Sequence, residues 1–332
     1  VALTRDTLLG RDADLVLILS GGNALGAFQA GVYQALHEAG LEPDWIVGTS
    51  IGAINGALIA GSTFENRVEA LRAFWRAPFD GGSFWPFASD TLRRTAAANW
   101  TMAAGRPGIF GPILSGAAGP SIYETEELRR SLLARVDFDR LNDGACRYTA
   151  TAVDLKTGED VAFDTRERRV GADHVRASAA LPVLFPPVEI DGRGFVDGGV
   201  SANLALDPFF VVPPARPTLC IAVDLLPLAQ ALPRTIGEAG SRMQDLMFAA
   251  QSRRSLTRWR EAYAGYAGPG ITFVQLTYTA QEDEILGKAL DFSAATVEAR
   301  TRTGHSQAAR LLRSMECGDL SLRTAGFSVH PA

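Results

Sequence analysis

Short apolar runs alternate with glycine-bearing turns and with segments of helical spacing through the first 60 residues of the chain. Leu15-Val16-Leu17-Ile18-Leu19 is continuous and only five residues long, the signature of a strand buried on both faces. Ser20-Gly21-Gly22-Asn23 interrupts it as a loop. Phe28, Val32, Ala35, Leu36 and Ala39 then recur at helical spacing, and Gly40 supplies the stop. Trp45-Ile46-Val47 reads as a second strand, followed by a turn and a helix of small and apolar residues from Ala53 to Ala60. This strand-loop-helix-strand-turn-helix order predicts an α/β fold with a mostly parallel sheet and helices on its faces.

The pattern changes from Phe79 to Pro120, where Gly and Pro are frequent and Phe84, Trp85, Phe87, Trp100, Ile109 and Phe110 are scattered, apart from a short helix around Thr91 to Ala103. Such a segment suits a lid or binding loop, or equally a satellite apolar cluster on the core. Tyr148 to Val153 and Val161 to Phe163 predict a hairpin, and Ala172 to Ala179 a helix. Gly194 to Val196, Thr218 to Val223 and Thr272 to Leu276 predict later strands. Helical spacing returns over Ile236 to Tyr263 and Ser293 to Arg313. No internal repeat or low-complexity linker appears. The chain divides into a lead-in at 1–14, a core at 15–225 that contains the 79–120 segment, and a helical extension at 226–332 packed on that core.

The 332 residues, 47% hydrophobic, can bury a substantial core. A net charge of −5 without a long basic run argues against nucleic acid as a partner. The three cysteines and four histidines lack the spacing of a disulfide framework or a metal site, so no metal is expected. No stretch approaches the roughly 20 apolar residues of a membrane span. Cytoplasmic placement is the default, with peripheral membrane contact open; the chain starts at Val1, so a removed presequence also stays open.

The candidate chemistry centres on Gly48-Thr49-Ser50-Ile51-Gly52. Glycines two residues either side of a serine permit a sharp strand-to-helix turn that pushes the hydroxyl out, and the helix N-terminus favours developing negative charge. Ser20 to Gly26 forms a second glycine-rich turn after a strand, able to hold a phosphate or to donate to an oxyanion. Its glycine spacing is not that of a dinucleotide fingerprint. Asp197-Gly198-Gly199 places a carboxylate at a strand end beside flexible backbone.

Taken together, Gly-Gly-x-x-x-Gly at 21–26, Gly-Thr-Ser-Ile-Gly at 48–52, the run Ala177 to Val188 and Asp-Gly-Gly at 197–199 resemble the patatin-like phospholipase family over roughly residues 14–225. The C-terminal third is similar to the helical extension of a bacterial subgroup. The resemblance implies a three-layer α/β/α core and a serine lipid acyl hydrolase that needs no cofactor. Ser50 would be the nucleophile that forms an acyl-enzyme and Asp197 the general base. The amides of Gly21, Gly22 and Asn23 would form the oxyanion hole. Leu25, Ile51, Phe84, Trp85 and Phe110 would contact the substrate, a lipid or other acyl ester. This chain has Asn23 where the family commonly has a third glycine, and Leu25 where it has Arg or Lys. The second change removes a cation that would suit a phosphate headgroup, and brings neutral acyl esters, thioesters and polyhydroxyalkanoate oligomers into consideration.

Rival assignments follow from the same residues. An α/β-hydrolase triad would use Ser50, Asp197 or Asp224, and His305. Asp154, at a hairpin turn, and Asp224, at a strand end, are alternative bases. A lipid-binding protein of the same fold without catalysis is a third reading. The aromatic residues Phe84, Trp85, Phe87, Trp100 and Phe110 would, on a membrane reading, form an apolar edge that touches lipid aggregates.

Overall fold

The computed structural model describes residues 5–10, 12–77, 89–113, 119–281, 284, 285 and 287–331. The expected order holds at the start of the chain. A short helix α1 (Arg5–Leu8) precedes β1 (Asp14–Leu19), α2 (Ala27–Glu38), β2 (Trp45–Thr49) and α3 (Ile51–Ala60). Then come α4 (Arg67–Trp75), α5 (Asp90–Ala104), the two-residue strands β3 (Gly111–Pro112) and β4 (Tyr123–Glu124), α6 (Glu126–Arg135) and α7 (Phe138–Asp143). The sheet resumes with β5 (Arg147–Asp154) and β6 (Asp160–Asp164), and α8 (Ala172–Ser178) leads to β7 (Val188–Ile190) and β8 (Arg193–Asp197). The remainder is α9 (Gly199–Ala202), α10 (Asp207–Phe210), β9 (Thr218–Asp224), α11 (Ile236–Ala262), β10 (Ile271–Thr277), α12 (Ala294–Glu316) and β11 (Phe327–Pro331).

Among the described residues the main sheet has nine strands in the order β11-β10-β9-β1-β2-β5-β8-β7, with β6 beside β5. The strands from β11 to β5 are mutually parallel, whereas β6 and β8 run antiparallel to β5. The stretch read from sequence as a helical extension therefore also adds β10 and β11 to the sheet.

Alternation along the central strands divides the core into two layers. Leu15, Leu17 and Leu19 of β1 enter one cluster with Phe28, Ile54 and Leu58, and Val16 and Ile18 enter the other with Phe209, Phe210 and Phe273. Burial on both faces is what makes β1 and β9 uniformly apolar, and helices on each face give an α/β/α sandwich.

On the first face α12 lies directly against α2. A Cβ on Gly304 would stand 2.0 Å from the Phe28 carbonyl oxygen, and one on Gly31 1.9 Å from that of Thr301, so only glycine allows the two backbones to touch. Thr301 Oγ1 donates to the Ala27 carbonyl across this contact at 3.2 Å.

The sheet register also explains how distant segments meet. β2 pairs with β5 as far as Thr49↔Thr151, and β8 takes over the same edge of β5 from Ala152↔Asp197. The end of β2 and the end of β8 are thereby neighbours, with Ser50 and Asp197 one step beyond and at these ends.

Candidate functional site

Ser50 occupies the turn between β2 and α3 at φ 56°, ψ −123°, a backbone region costly for a side-chain-bearing residue. Both flanking glycines are sterically required. A Cβ on Gly48 would stand 2.5 Å from the Ala53 nitrogen, and one on Gly52 2.2 Å from the Leu19 carbonyl oxygen. The turn can thus fold the helix start back onto both β2 and β1 while the serine hydroxyl points outward. The Ser50 amide donates to Ser178 Oγ at 3.0 Å, which ties the turn to the end of α8.

Asp197 closes β8 and is buried. Burial pushes its carboxyl up to about 7, opposed by the Ser50 hydroxyl and by the Gly199 amide, which donates to Oδ1 at 2.7 Å. Desolvation is the dominant effect: a carboxylate here loses bulk water and, among the described residues, recovers these two partners. The serine hydroxyl and a carboxylate that titrates near neutrality form one polar pair in a mostly dry site.

The glycine-rich loop after β1 forms a 3-10 turn, Asn23–Gly26, with Gly22 at φ 158° and Asn23 at φ 51°. The Gly21 amide donates to the Asn203 carbonyl at 3.1 Å, so it is already engaged. The amides of Gly22 and Asn23 take no acceptor among the described residues. A framework of polar side chains holds this loop. Gln29 Nε2 donates to the Ser20 carbonyl at 2.8 Å, Asn55 Nδ2 to Gln29 Oε1 at 2.9 Å and to the Gly26 carbonyl at 3.0 Å, and Trp75 Nε1 to Asn55 Oδ1 at 3.0 Å. From α12, the fully buried Arg300 donates to the Ala24 carbonyl at 2.9 Å while its other nitrogens pair with Glu284.

Ser50, Asp197, Gly22, Asn23, Leu25 and Ile51 line one cavity of about 290 Å³. Ile54, Ile109, Leu128, Leu181, Leu184 and Phe185 supply much of its apolar wall. Gly21 lies beside it, where a Cβ would stand 3.1 Å from that of Ser50. Phe110, expected to touch substrate and to form part of an exposed apolar edge, is instead buried behind the wall, with its ring centroid 5.2 Å from that of Phe185 and 4.9 Å from that of Tyr123. Its neighbour Ile109 faces the cavity in its place. Trp100 is exposed on α5. Phe84, Trp85 and Phe87 lie outside the described residues.

The rival groups stand elsewhere. His305 Nε2 faces Glu38 Oε2 at 2.7 Å on the outer side of the α2–α12 contact, away from Ser50's cavity wall. Asp154 is held below its ordinary value by the amide of Thr157 and by Arg193, an arrangement that suits a turn and not a base. Asp224 is pushed by burial up to about 6 but does not line the cavity. Residues not singled out in sequence also converge on the site: Ser178, Asn203, Asp245 and Lys288. Of these only Ser178 fell inside a run noted for its likeness to a known family.

Comparison with known proteins matches residues 17–210 to the patatin-like phospholipase family. An uncharacterized NTE family protein of Mycobacterium tuberculosis is 29% identical over 250 residues, covering 73% of this chain and 59% of its own. A lysophospholipase of Aspergillus terreus is 30% identical over 202 residues, covering 60% of this chain and 11% of its own. The chain thus spans about three fifths of the mycobacterial relative (59%). Among solved structures, VipD from Legionella pneumophila aligns with a TM-score of 0.45 and 15% identity, over 92% of this chain and 67% of that one. With its profile match covering more than half of the sequence, the chain belongs to the patatin-like phospholipase family.

Proposed function

We propose that this protein is a serine hydrolase of carboxylic esters of lipids, with Ser50 as nucleophile, Asp197 as general base and the amides of Gly22 and Asn23 as oxyanion donors. The observation that carries the reading is the contact of Ser50, on its strained turn, with a carboxyl group that burial brings to about 7 inside an apolar cavity. A base with that pKa takes the serine proton as Oγ bonds to the ester carbonyl carbon. The oxyanion so formed accepts from the loop amides, each such donor typically worth about 2.7–4 kcal/mol of barrier. Collapse breaks the ester C–O bond, and Asp197 returns the proton to the departing alcohol. Water then attacks the acyl carbon, losing its proton to Asp197; the acyl C–Oγ bond breaks, Asp197 returns the proton to Ser50 Oγ, and the carboxylic acid leaves. Relatives that carry the name lysophospholipase support a lipid ester as substrate. Leu25, buried in the wall, adds no charge there, which favours neutral acyl esters beside phospholipids.

Contact with lipid aggregates fits the surface next to this cavity. Ser241, Gln244 and Phe248 of α11 line the cavity, while Ile236, Met243 and Met247 of the same helix form an exposed apolar stripe. Among the described residues no helix is long and apolar enough to cross a membrane. A fluorophosphonate probe tests the catalytic reading: it should label the folded protein at Ser50 and leave Ser50→Ala unlabelled. Absence of labelling in the folded protein would support a lipid-binding role instead. Co-sedimentation with phosphatidylcholine vesicles, weakened by Met243→Gln with Met247→Gln, tests the contact.

A further inference from the structure

The wall of the Ser50 cavity contains a buried ion pair that the dyad does not use. Lys288 begins the 3-10 turn Lys288–Leu290, which packs against the turn Asn23–Gly26. Its Nζ donates to Asp245 Oδ2 on α11 at 2.7 Å and to Gln281 Oε1 at 2.7 Å. The two charged side chains are 9% and 2% exposed, and both line the cavity with Ser50.

Packing alone does not account for this pair. Desolvating two ions commonly costs more than their attraction returns, and an apolar pair of similar volume would fill the space as well. The hydrogen-bond inventory points into the cavity. An ammonium has three donors. Two of those of Lys288 are used, and the third takes no acceptor among the described residues. Asp245 accepts through Oδ2 alone, which leaves Oδ1 free among the described residues. The pair therefore offers one donor and one acceptor to whatever fills the space.

The charges decide what that can be. An anionic group would gain from Lys288 but meet Asp245 beside it and Asp197 in the same cavity, and Leu25 brings no further cation. A hydroxyl donates and accepts at once, so it can satisfy both groups and bring in no charge. We propose that Lys288 and Asp245 form a subsite for an uncharged hydroxyl of the substrate, making a neutral, hydroxyl-bearing ester the preferred class. This rests on the hydrolase reading above. The hydroxyl can belong to the alcohol part, as in a glycerol ester, or to the acyl part, as in a hydroxyacyl ester.

The test compares kcat/KM of the full chain on 1-octanoylglycerol, methyl 3-hydroxyoctanoate, methyl octanoate and 1-octanoylglycerol 3-phosphate. p-Nitrophenyl octanoate is included as a substrate with no hydroxyl. One of the two hydroxyl esters should exceed methyl octanoate by about tenfold or more, as expected where a site's buried polar groups are left unpaired by an analogue lacking the hydroxyl, and which one does so identifies the source. The phosphate ester should fall below 1-octanoylglycerol. In Lys288→Met with Asp245→Leu, which removes both charges together, the hydroxyl-to-methyl ratio should collapse to within about twofold. Asp245→Asn keeps the shape, leaves the cation uncompensated and should shift selectivity towards the phosphate ester by about fivefold or more; it carries the test if the double variant fails to melt cooperatively. Hydrolysis of p-nitrophenyl octanoate with no preference for either hydroxyl ester overturns the subsite alone, as does an unchanged ratio in the folded variants. No hydrolysis of any ester by the native protein overturns the hydrolase reading and the subsite with it.

Discussion

Asn203 and Gly21 hold each other by two bonds: the Gly21 amide donates to the Asn203 carbonyl at 3.1 Å, and Asn203 Nδ2 donates to the Gly21 carbonyl at 3.2 Å. The loop that follows β1 is thereby fastened to the segment that follows Asp197. Asn203 also fills the space a Cβ on Gly21 would take, 2.5 Å from its Oδ1. Asn203→Ala should lower kcat on p-nitrophenyl esters about 10- to 100-fold, because small displacements of a donor are costly, with KM changed far less. Asn203→Asp, which keeps the size but loses the donor, should behave similarly. An equal rise in KM with kcat intact would assign Asn203 to substrate binding.

The pH profile follows from Asp197. On the proposed assignment Asp197 must be ionised to accept the serine proton, and burial pushes its carboxyl up to about 7. The value of kcat/KM should therefore rise about tenfold per pH unit on the acid side and level off above about pH 7. Asp197→Asn should cut hydrolysis by about 10²- to 10⁴-fold.

The same shift affects stability in the opposite sense. The folded pKa of Asp197 lies above its ordinary value of 3.8, so its favourable contribution is complete below about pH 4 and is lost as pH rises through about 7. At pH 8 Asp197→Asn should raise stability by about 1–3 kcal/mol, and near pH 4 by almost nothing. Urea unfolding of both proteins at the two pH values measures this; an equal gain at both would place the cause outside ionisation.

Backbone strain at Ser50 can be measured by comparing two variants that lack its hydroxyl. Alanine keeps the Cβ that makes φ 56° unfavourable, and glycine does not. Ser50→Gly should be more stable than Ser50→Ala by about 1 kcal/mol, the strain relieved less the added freedom of the unfolded chain. If the alanine variant unfolds at the higher urea concentration, the turn is not strained.

The α2–α12 contact should tolerate no side chain. Gly304→Ala forces a methyl group against the Phe28 carbonyl and should destabilise by about 1–3 kcal/mol or more. Since Arg300 is four residues before Gly304 on α12, kcat should fall with it at temperatures where the variant is still folded. Unchanged kcat would separate the helix packing from the loop.

The parts of this arrangement legible in sequence are those in which residue type answers to local backbone. Gly48 marks the Ser50 turn because it meets the main chain of Gly52 and Ala53 in that same turn, and the apolar runs of β1 and β9 record burial on two faces. What was hidden depends on partners far along the chain. Lys288 meets Asp245 across 43 residues, Asn203 meets Gly21 across 182, and Arg300 meets Ala24 across 276. No local pattern distinguishes such side chains from solvated ones. β11 was not legible for a related reason: Phe-Ser-Val-His-Pro alternates apolar and polar positions, but the run is only five residues long, ends in proline and becomes a strand by pairing with β10. Phe110 was misread because glycine and proline around it suggest exposure, whereas Tyr123 and Phe185 enclose it.

The reach of Arg300 back to Ala24 has a consequence for biosynthesis. Ser50 and Asp197 are both in place once β8 has formed, yet the turn carrying Asn23 gains the Arg300 brace only when α12, about a hundred residues further on, has left the ribosome and docked on α2. A nascent chain would carry Ser50 and Asp197 for several seconds, at roughly 5–20 residues per second, with the Asn23 turn lacking its Arg300 contact. On the proposed assignment, translation order would delay the last support of the oxyanion turn until the fold around it is nearly finished.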